Sequence, residues 1–596
     1  MRVALLAEGG YPYTRGEGSV WVDRLVRGLA GHEFAVYALG GSERVVASGM
    51  MALPPQVEQV RTLPLWGPAP GHGAGTGRAR RRRAHVLERY RDLVAVLAGD
   101  AGADGVADRF ASALHGLAVL AREDGGLPSL LRSEHAVRVL EEVCRAPGAR
   151  PLVAEAGVGD LLLAADQVER VLRPLSAPWY DEFGDALATA DLCHAVTGGT
   201  ALLPALLAKR FFGTPLLVTE YGVRLRETLL RHRAAGLPAP VRALLAAFHR
   251  HLAGEAYRRA DLVTPGNAHA RRWQEHCGAE RDRVRTVYPG YQGCLPEPVS
   301  EAEGGDPTLV WVGRVEPGKD LIGLLHAFGE VRKEEAGARL RVVRAGADDP
   351  GYLERCRSLA AQLFPDEAAD AYAAGENPVT FEELGAPGAA ALPDAYAAGD
   401  VVVLSSVVEG FPVTLVEAMF CGRATVSTDV GAVREVIGGT GLIVPPRNPK
   451  ALAEACVALL RDTERRRRLG AAARERALEL FTVERNLAAF REIYLDLVAH
   501  APGRPAPLRD PDGTPVPFGR PAESRVRGRW TARPSWALAA REPAPAAREP
   551  APAAREPAPA AREPAPAARE PAPAAREPAP AAREPAYAGA ERRERA

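Results

Sequence analysis

The chain has 596 residues, enough for two ordinary domains with separate cores, and its 75 basic and 75 acidic side chains cancel, which argues against a nucleic-acid arm or a uniformly charged partner. Seven cysteines, Cys144, Cys193, Cys277, Cys294, Cys356, Cys421 and Cys456, are scattered, odd in number and free of Cys-x-x-Cys spacing, which favours reduced thiols over a disulfide framework or a zinc site. No apolar run approaches the roughly 18 residues that span a bilayer, and Val3 to Ala7 is shorter than a signal-peptide core of about 7 to 15, so the expectation is a cytoplasmic protein.

In chain order, Val3 to Ala7 is an apolar strand, the loop GGYPYTRGEG follows, and Val22, Leu25, Val26 and Leu29 recur at helical spacing. That order suits a phosphate-binding unit in which Gly16 and Gly18 let backbone approach a ligand, although a simple turn explains such a loop as well. From about residue 50 to 178 a polar, mostly helical insertion interrupts the alternation of strands and helices. Within it the basic run Arg78 to Arg83 heads a helical segment, Ala84 to Leu97, and reads as a solvated loop in preference to a contact for an anionic membrane or nucleic acid. His194, in DLCHAVTGGT, ends a candidate strand and is either an imidazole offered to the site or a hydrogen-bonded structural histidine. RRADLVTPGN and DRVRTVYPG read as a strand with its loop and then a last strand before the linker Gly290 to Pro307. The first domain is thus expected over 1–290.

The second domain, expected over 308–480, opens with VWVGRVEPGKD. An apolar strand ends there in glycine, and Arg314 and Lys319 stand where an anion would lie. Asp348-Asp349 reads as a turn and not as a metal pair. Val401 to Leu404 is a strand buried on both faces, Gly410 breaks it, and Pro412 suits the first position of a helix continuing through Val413 and Thr414 to Met419. The free N–H groups of such a helix start favour a diphosphate. Glu409, in the loop, faces the group beyond the phosphates, and Glu417, just inside the helix, accepts hydrogen bonds from ribose hydroxyls. Asn448-Pro449 is a helix start of the cap-then-proline type. The helix of 481–500 carries Leu487, Phe490, Ile493, Tyr494 and Leu497 on one face. Over 503–596 the unit REPAPAA repeats six times from Arg541 and decays in a seventh copy; two prolines in every seven residues block a helix and leave no core, so the tail is expected to be disordered.

EGFPVTLVEAM, followed by Gly422 and the strand Ala424 to Ser427, resembles the Glu-x7-Glu motif of the retaining GT-B glycosyltransferases of family four, and VWVGRVEPGKD resembles that family's Gly-Arg and Lys-Asp segment. EGGYPYTRGEGSVWVDRL, with DLCHAVTGGT and TEYGVRLRE, is similar to the PelF-like subfamily, which carries an N-terminal insertion. The resemblance covers roughly residues 1 to 500. It implies an α/β GT-B fold, two Rossmann-like domains facing a cleft, with the helix of 481–500 crossing back to the first. It also implies a nucleotide-sugar donor, UDP-linked in the first instance, held by Gly16, Gly18, Arg314, Lys319, Glu409, Gly410, Phe411, Val413, Thr414 and Glu417. Catalytic roles fall to Glu409, Arg314, Lys319 and His194, with no enzyme nucleophile, no cofactor and no essential metal. The acceptor is a polysaccharide, a lipid-linked group or a small molecule, with an inositol-phosphate type of transferase as the nearest rival. A membrane-bound polysaccharide synthase complex is the implied partner, with peripheral placement at the inner face of the membrane.

Two positions depart from the pattern: Tyr221 stands where the subfamily has histidine, and Pro412 where the wider family has glycine. A non-catalytic subunit of a synthase is therefore the reading from another class. A phosphorylase of the same fold would need a cofactor-binding lysine region, which the sequence does not offer.

Overall fold

The computed structural model describes residues 1–13, 16–42, 49–67, 79–100, 105–124, 126–180, 187–291, 305–346, 348–365, 377–386 and 389–501. The repeat tail, most of the linker and Cys294 lie outside the described residues, as do the side chains of the basic run before Arg83. The chain divides into Met1–Arg520 and Pro521–Ala596, and every described residue belongs to the first unit.

That unit holds two parallel sheets of six strands. The first consists of β1 (Arg2–Glu8), β2 (Glu33–Ser42), β3 (Val57–Trp66), β4 (Leu192–Ala195), β5 (Leu216–Glu220) and β6 (Leu262–Pro265), ordered β3-β2-β1-β4-β5-β6. The second consists of β7 (Thr308–Gly313), β8 (Arg339–Arg344), β9 (Val379–Glu383), β10 (Val401–Leu404), β11 (Ala424–Thr428) and β12 (Leu442–Val444), ordered β12-β11-β10-β7-β8-β9. The two orders are the same pattern. The chain winds outward from the central strand, returns beside it and winds the other way, so each sheet has a switch point, between β1 and β4 and between β7 and β10. In doubly wound sheets ligands bind at the carboxyl ends of the strands at that point. This is the α/β class that the resemblance implies, and the near-continuous apolar strands follow from burial on both faces.

The first sheet is covered on one face by α1 (Glu17–Gly28), whose Trp21, Val22, Leu25 and Val26 meet Val3, Leu5 and Val36. The segment 50–178 is mostly helical and also supplies the edge strand β3. Its longer helices, α2 (Ala79–Ala98), α3 (Val106–Asp124), α4 (Glu134–Cys144) and α5 (Val158–Leu172), each bury an apolar face. Tyr90, Phe110, Leu114 and Leu140 join Leu206 of α6 (Leu202–Phe212) and Phe248 of α8 (Ala239–Arg259) in one continuous core; between these two helices lies α7 (Arg224–Ala234). DRVRTVYPG does not become a strand. Arg285 and Val287 donate to Val263 and Pro265, but Pro265 has no N–H to return, and one bridge, Val263 to Val284, is all that forms.

In the second domain α9 (Leu321–Glu334) follows β7, and α10 (Val413–Phe420) follows β10; Pro412 sits at the N-cap of α10 and not in its first turn. Asn448 caps α11 (Pro449–Arg461) through Ala451 N. After α12 (Thr463–Leu480) the chain returns to the first sheet as α13 (Val483–Ala499), burying Phe490, Ile493 and Tyr494 against the α1 face, with Leu487 and Leu497 at the margin.

Candidate functional site

At the switch point of the second sheet the loops after β7 and β10 are bonded together. Ser405 Oγ donates to the Lys319 carbonyl at 2.7 Å, and Val407 N donates to the Gly318 carbonyl at 2.9 Å. Lys319 ends a short 3-10 turn, Pro317–Lys319. Asp320, in the left-handed region with φ 48°, caps α9 through Gly323 N, which fixes the Lys319 stem. The ammonium of Lys319 lies 2.6 Å from the Glu409 carboxylate, to which Ser406 Oγ also donates at 3.0 Å. With side chains only 16% and 12% exposed, this pair is largely shielded from water. The Glu409–Gly410 turn is held from below by Gly431, whose φ is 57° and whose Cβ, were there one, would lie 2.1 Å from the Glu409 carbonyl. No other residue fits there.

Of the other residues read from the sequence, Val413 and Thr414 form the half-buried first turn of α10, beside this pair in the chain. Glu417 accepts from the Tyr396 hydroxyl at 2.7 Å, and burial drives that hydroxyl's proton affinity well above the ordinary range. Arg314 is 55% exposed, its stem lying over Gly346 and its guanidinium 3.7 Å from the Glu316 carboxylate. Phe411 is not presented to the site: its ring stacks on Tyr291 at 5.9 Å and meets Phe481 edge-on. Only its backbone remains to meet a ligand. Gly16, extended at the N-cap of α1, and Gly18, in the first turn, have open space where a Cβ would go. The glycines that the backbone itself requires are Gly9 and Gly10, with φ 66° and 87°.

His194 is corrected from a site residue to a core residue. It is wholly buried in β4, with Nδ1 2.7 Å from the Tyr494 hydroxyl of α13 and Nε2 2.6 Å from Thr219 Oγ1. Both ring nitrogens are engaged, and burial lowers its pKa to about 3, so the ring is neutral at physiological pH. Tyr221 is tied to the same helix: Asn486 of α13 donates to its hydroxyl at 3.0 Å and to the Tyr288 carbonyl at 2.7 Å, and accepts from Trp21 Nε1 at 3.2 Å.

Sequence reasoning missed a polar cluster at the carboxyl ends of β1, β4 and β5. Glu8 accepts from the backbone N–H and hydroxyl of Thr200 and from Arg224 at 3.1 Å. Burial alone would raise its pKa, but Arg224 and Thr200 outweigh that and lower it. Glu220, which accepts from Arg224 N and the Tyr257 hydroxyl, is raised to about 7 by burial, and burial lowers the adjoining His249 to about 4. The space beside the cluster is about 10 Å³, so it fastens α7 and α8 to the sheet and admits no substrate. The only signal in the sequence was two carboxylates, each ending an apolar strand. Glu435 of the second domain reaches across to the first, accepting from Ala268 N at 2.6 Å and the Tyr288 hydroxyl at 2.8 Å.

Among the described residues no group of His, Cys, Asp and Glu has the arrangement of a metal site, and no helix is long and apolar enough to cross a membrane.

Residues 306–462 match the sequence profile of the glycosyl transferases group 1, and residues 1–282 match that of a domain of unknown function, DUF3492. The D-inositol 3-phosphate glycosyltransferase of Nocardia farcinica is 32% identical over 225 residues, 35% of this chain and 47% of that protein. The enzyme of the same name from Kineococcus radiotolerans is 30% identical over 262 residues, 40% of this chain and 58% of that protein. The chain spans about half the length of the curated relatives it matches. Two solved structures align with most of this chain: Anabaena HepE in complex with UDP, with a TM-score of 0.49 at 14% identity over 83% of this chain and 100% of that one, and Thermosynechococcus elongatus sucrose-phosphate synthase, with a TM-score of 0.49 at 17% identity over 84% and 99%.

Proposed function

We propose that this chain, whose residues 306–462 match the group 1 glycosyl transferases, moves a sugar from a nucleotide diphosphate donor, UDP-linked in the first instance, to an acceptor held by the first domain. The observation that carries the reading is the shielded Lys319–Glu409 pair at the switch point of the second sheet, beside the start of α10. A diphosphate placed there meets one fixed ammonium and the N–H groups of a helix start, which stabilise the charge that grows on it as the sugar leaves. It also competes with Glu409 for Lys319, freeing that carboxylate for sugar hydroxyls. In this reading Glu417, one helical turn on and bonded to Tyr396, takes the ribose, and half-exposed Arg314 takes the outer phosphate oxygens. Retention of configuration, independence of metal, the PelF-like grouping, cytoplasmic placement and service to a membrane-bound exopolysaccharide synthase belong to the same reading and rest on the motif resemblance.

A second reading, transfer to an inositol phosphate, is favoured by the names of the curated relatives. Calorimetry with UDP, GDP and ADP sugars tests the donor site first. Lys319→Ala and Glu417→Ala each remove a charge-assisted contact worth about 1.5 to 3 kcal/mol and should weaken UDP binding roughly 10- to 150-fold with the fold intact. Unchanged affinity in both variants would sink the site. Absence of donor turnover in the wild type would return the non-catalytic reading.

A further inference from the structure

Trp66 ends the edge strand β3 with half its surface exposed, and an unusual amount of structure holds it there. The Arg170 guanidinium lies under one face of the indole, 3.9 Å from the ring centroid, and is itself held by Asp166 at 2.7 Å. Arg173, wholly buried, donates to the Pro64 carbonyl at 3.0 Å and the Gly67 carbonyl at 3.2 Å, on either side of Trp66. Its fork is closed by Glu169, also wholly buried, through two bonds of 2.9 Å. Arg132 joins Glu169 at 2.9 Å to Asp166 at 3.2 Å, so the pairs form one network on α5 and its flanks. Buried ion pairs rarely repay their desolvation, and an apolar pair of the same size holds a fold as well. This network is suited to fixing a position, and the position it fixes is that of Trp66.

The ring stands at the end of the sheet where ligands bind. Glu8 is level with Leu39, Leu39 with Leu63, and Trp66 lies three residues further on. Two strand spacings and three residues of rise place it about 10 Å to the side of Glu8 and about 10 Å beyond it, within the span of a short oligosaccharide. With a cation already under one face, the open face is a poor seat for a second cation and a flat apolar seat for a neutral ring.

We infer that the open face of Trp66 is an acceptor subsite that stacks on the C–H face of a pyranose ring, and hence that the acceptor is a saccharide chain; this rests on the transferase reading above. The test uses the full chain with ladders of gluco-, chito- and galacturono-oligosaccharides, and with inositol phosphate, once calorimetry has identified a donor. Wild type, Trp66→Phe and Trp66→Ala are compared by UDP release, with melting temperatures measured alongside. For at least one ladder Trp66→Ala should raise the acceptor KM about tenfold, more for longer acceptors, with donor KM and kcat unchanged, and Trp66→Phe should retain most of the wild-type affinity. Unchanged acceptor KM in Trp66→Ala, a donor KM that rises with it, or activity on inositol phosphate alone would overturn the subsite. Should no donor turn over, direct oligosaccharide binding by wild type and not by Trp66→Ala would uphold the platform while the transferase reading failed, and no binding by either would sink both.

Discussion

Replacing Glu220 by glutamine isolates one ionisable group in the buried cluster of the first domain. Glu220 is 5% exposed, and burial lifts its pKa from 4.5 to about 7 in the folded chain. The folded protein therefore binds this proton more tightly than the unfolded chain does. The resulting stabilisation, about 3 kcal/mol, is complete below pH 4.5 and is lost as pH rises from 4.5 to 7. The buried histidines act in the opposite sense: His194, lowered to about 3, and His249, lowered to about 4, are stabilising when neutral and lose that contribution as pH falls below 6.5. A raw stability profile mixes these slopes, but the difference between Glu220→Gln and wild type cancels the histidines. Glutamine does not titrate, and its carbonyl oxygen still accepts from Arg224 N or Tyr257. Urea unfolding from pH 4 to 8 should show the variant gaining on wild type by up to about 1.4 kcal/mol per pH unit between 4.5 and 7, about 3 kcal/mol in all, with a flat difference outside that window. Parallel profiles across the window would refute the raised carboxyl and the account of the cluster built on it.

Removal of divalent ions by EDTA should leave transfer largely intact, because Lys319 and the helix start are assigned the diphosphate charge; loss of activity restored by magnesium or manganese would contradict that assignment. Cutting the chain before Gly503 should leave the melting temperature and in vitro transfer unchanged, whereas a cut at Thr482 should unfold the first domain. The second cut removes Phe490, Ile493 and Tyr494, buried side chains worth roughly 1.5 to 3 kcal/mol each, a sum comparable with the whole stability of a domain. Thermal unfolding of both truncations decides the point.

The second domain was the more legible because its signals are local. Glycine, proline and charge punctuate the ends of β7 and β10, and the doubly wound order then brings Lys319 and Glu409, ninety positions apart, into contact. What the sequence hid depends on distant partners. Nothing around His194 announces that Tyr494, three hundred residues later, will cover it. Glu8 and Glu220 find each other's neighbourhood only through Arg224, once β1, β4 and β5 lie side by side. The strand β3 was passed over because VEQVRTLPLW holds a proline and several polar residues, which an edge strand tolerates and a central one does not. Phe411 was assigned to the donor from its place in a motif, but an aromatic ring beside Tyr291 and Phe481 gains more by packing than by facing water.

The return of α13 to the first sheet has a consequence for how the chain is made. Val3, Leu5, Trp21 and Leu25 belong to a face that is finished by residues lying beyond the second domain in the chain. Synthesis proceeds from the N-terminus, and domains generally fold as they emerge. The first domain therefore leaves the ribosome with that face uncovered, His194 and Trp21 included, and stays so until every strand of the second domain has been translated. At the start of that last layer Tyr291 N donates to the Phe481 carbonyl at 2.8 Å, and Gly290 lies so close to Val483 that a side chain would not fit. A chain that stopped short of α13 would expose the apolar face that Phe490, Ile493 and Tyr494 cover, and exposed apolar surface of that kind is a site for association between chains.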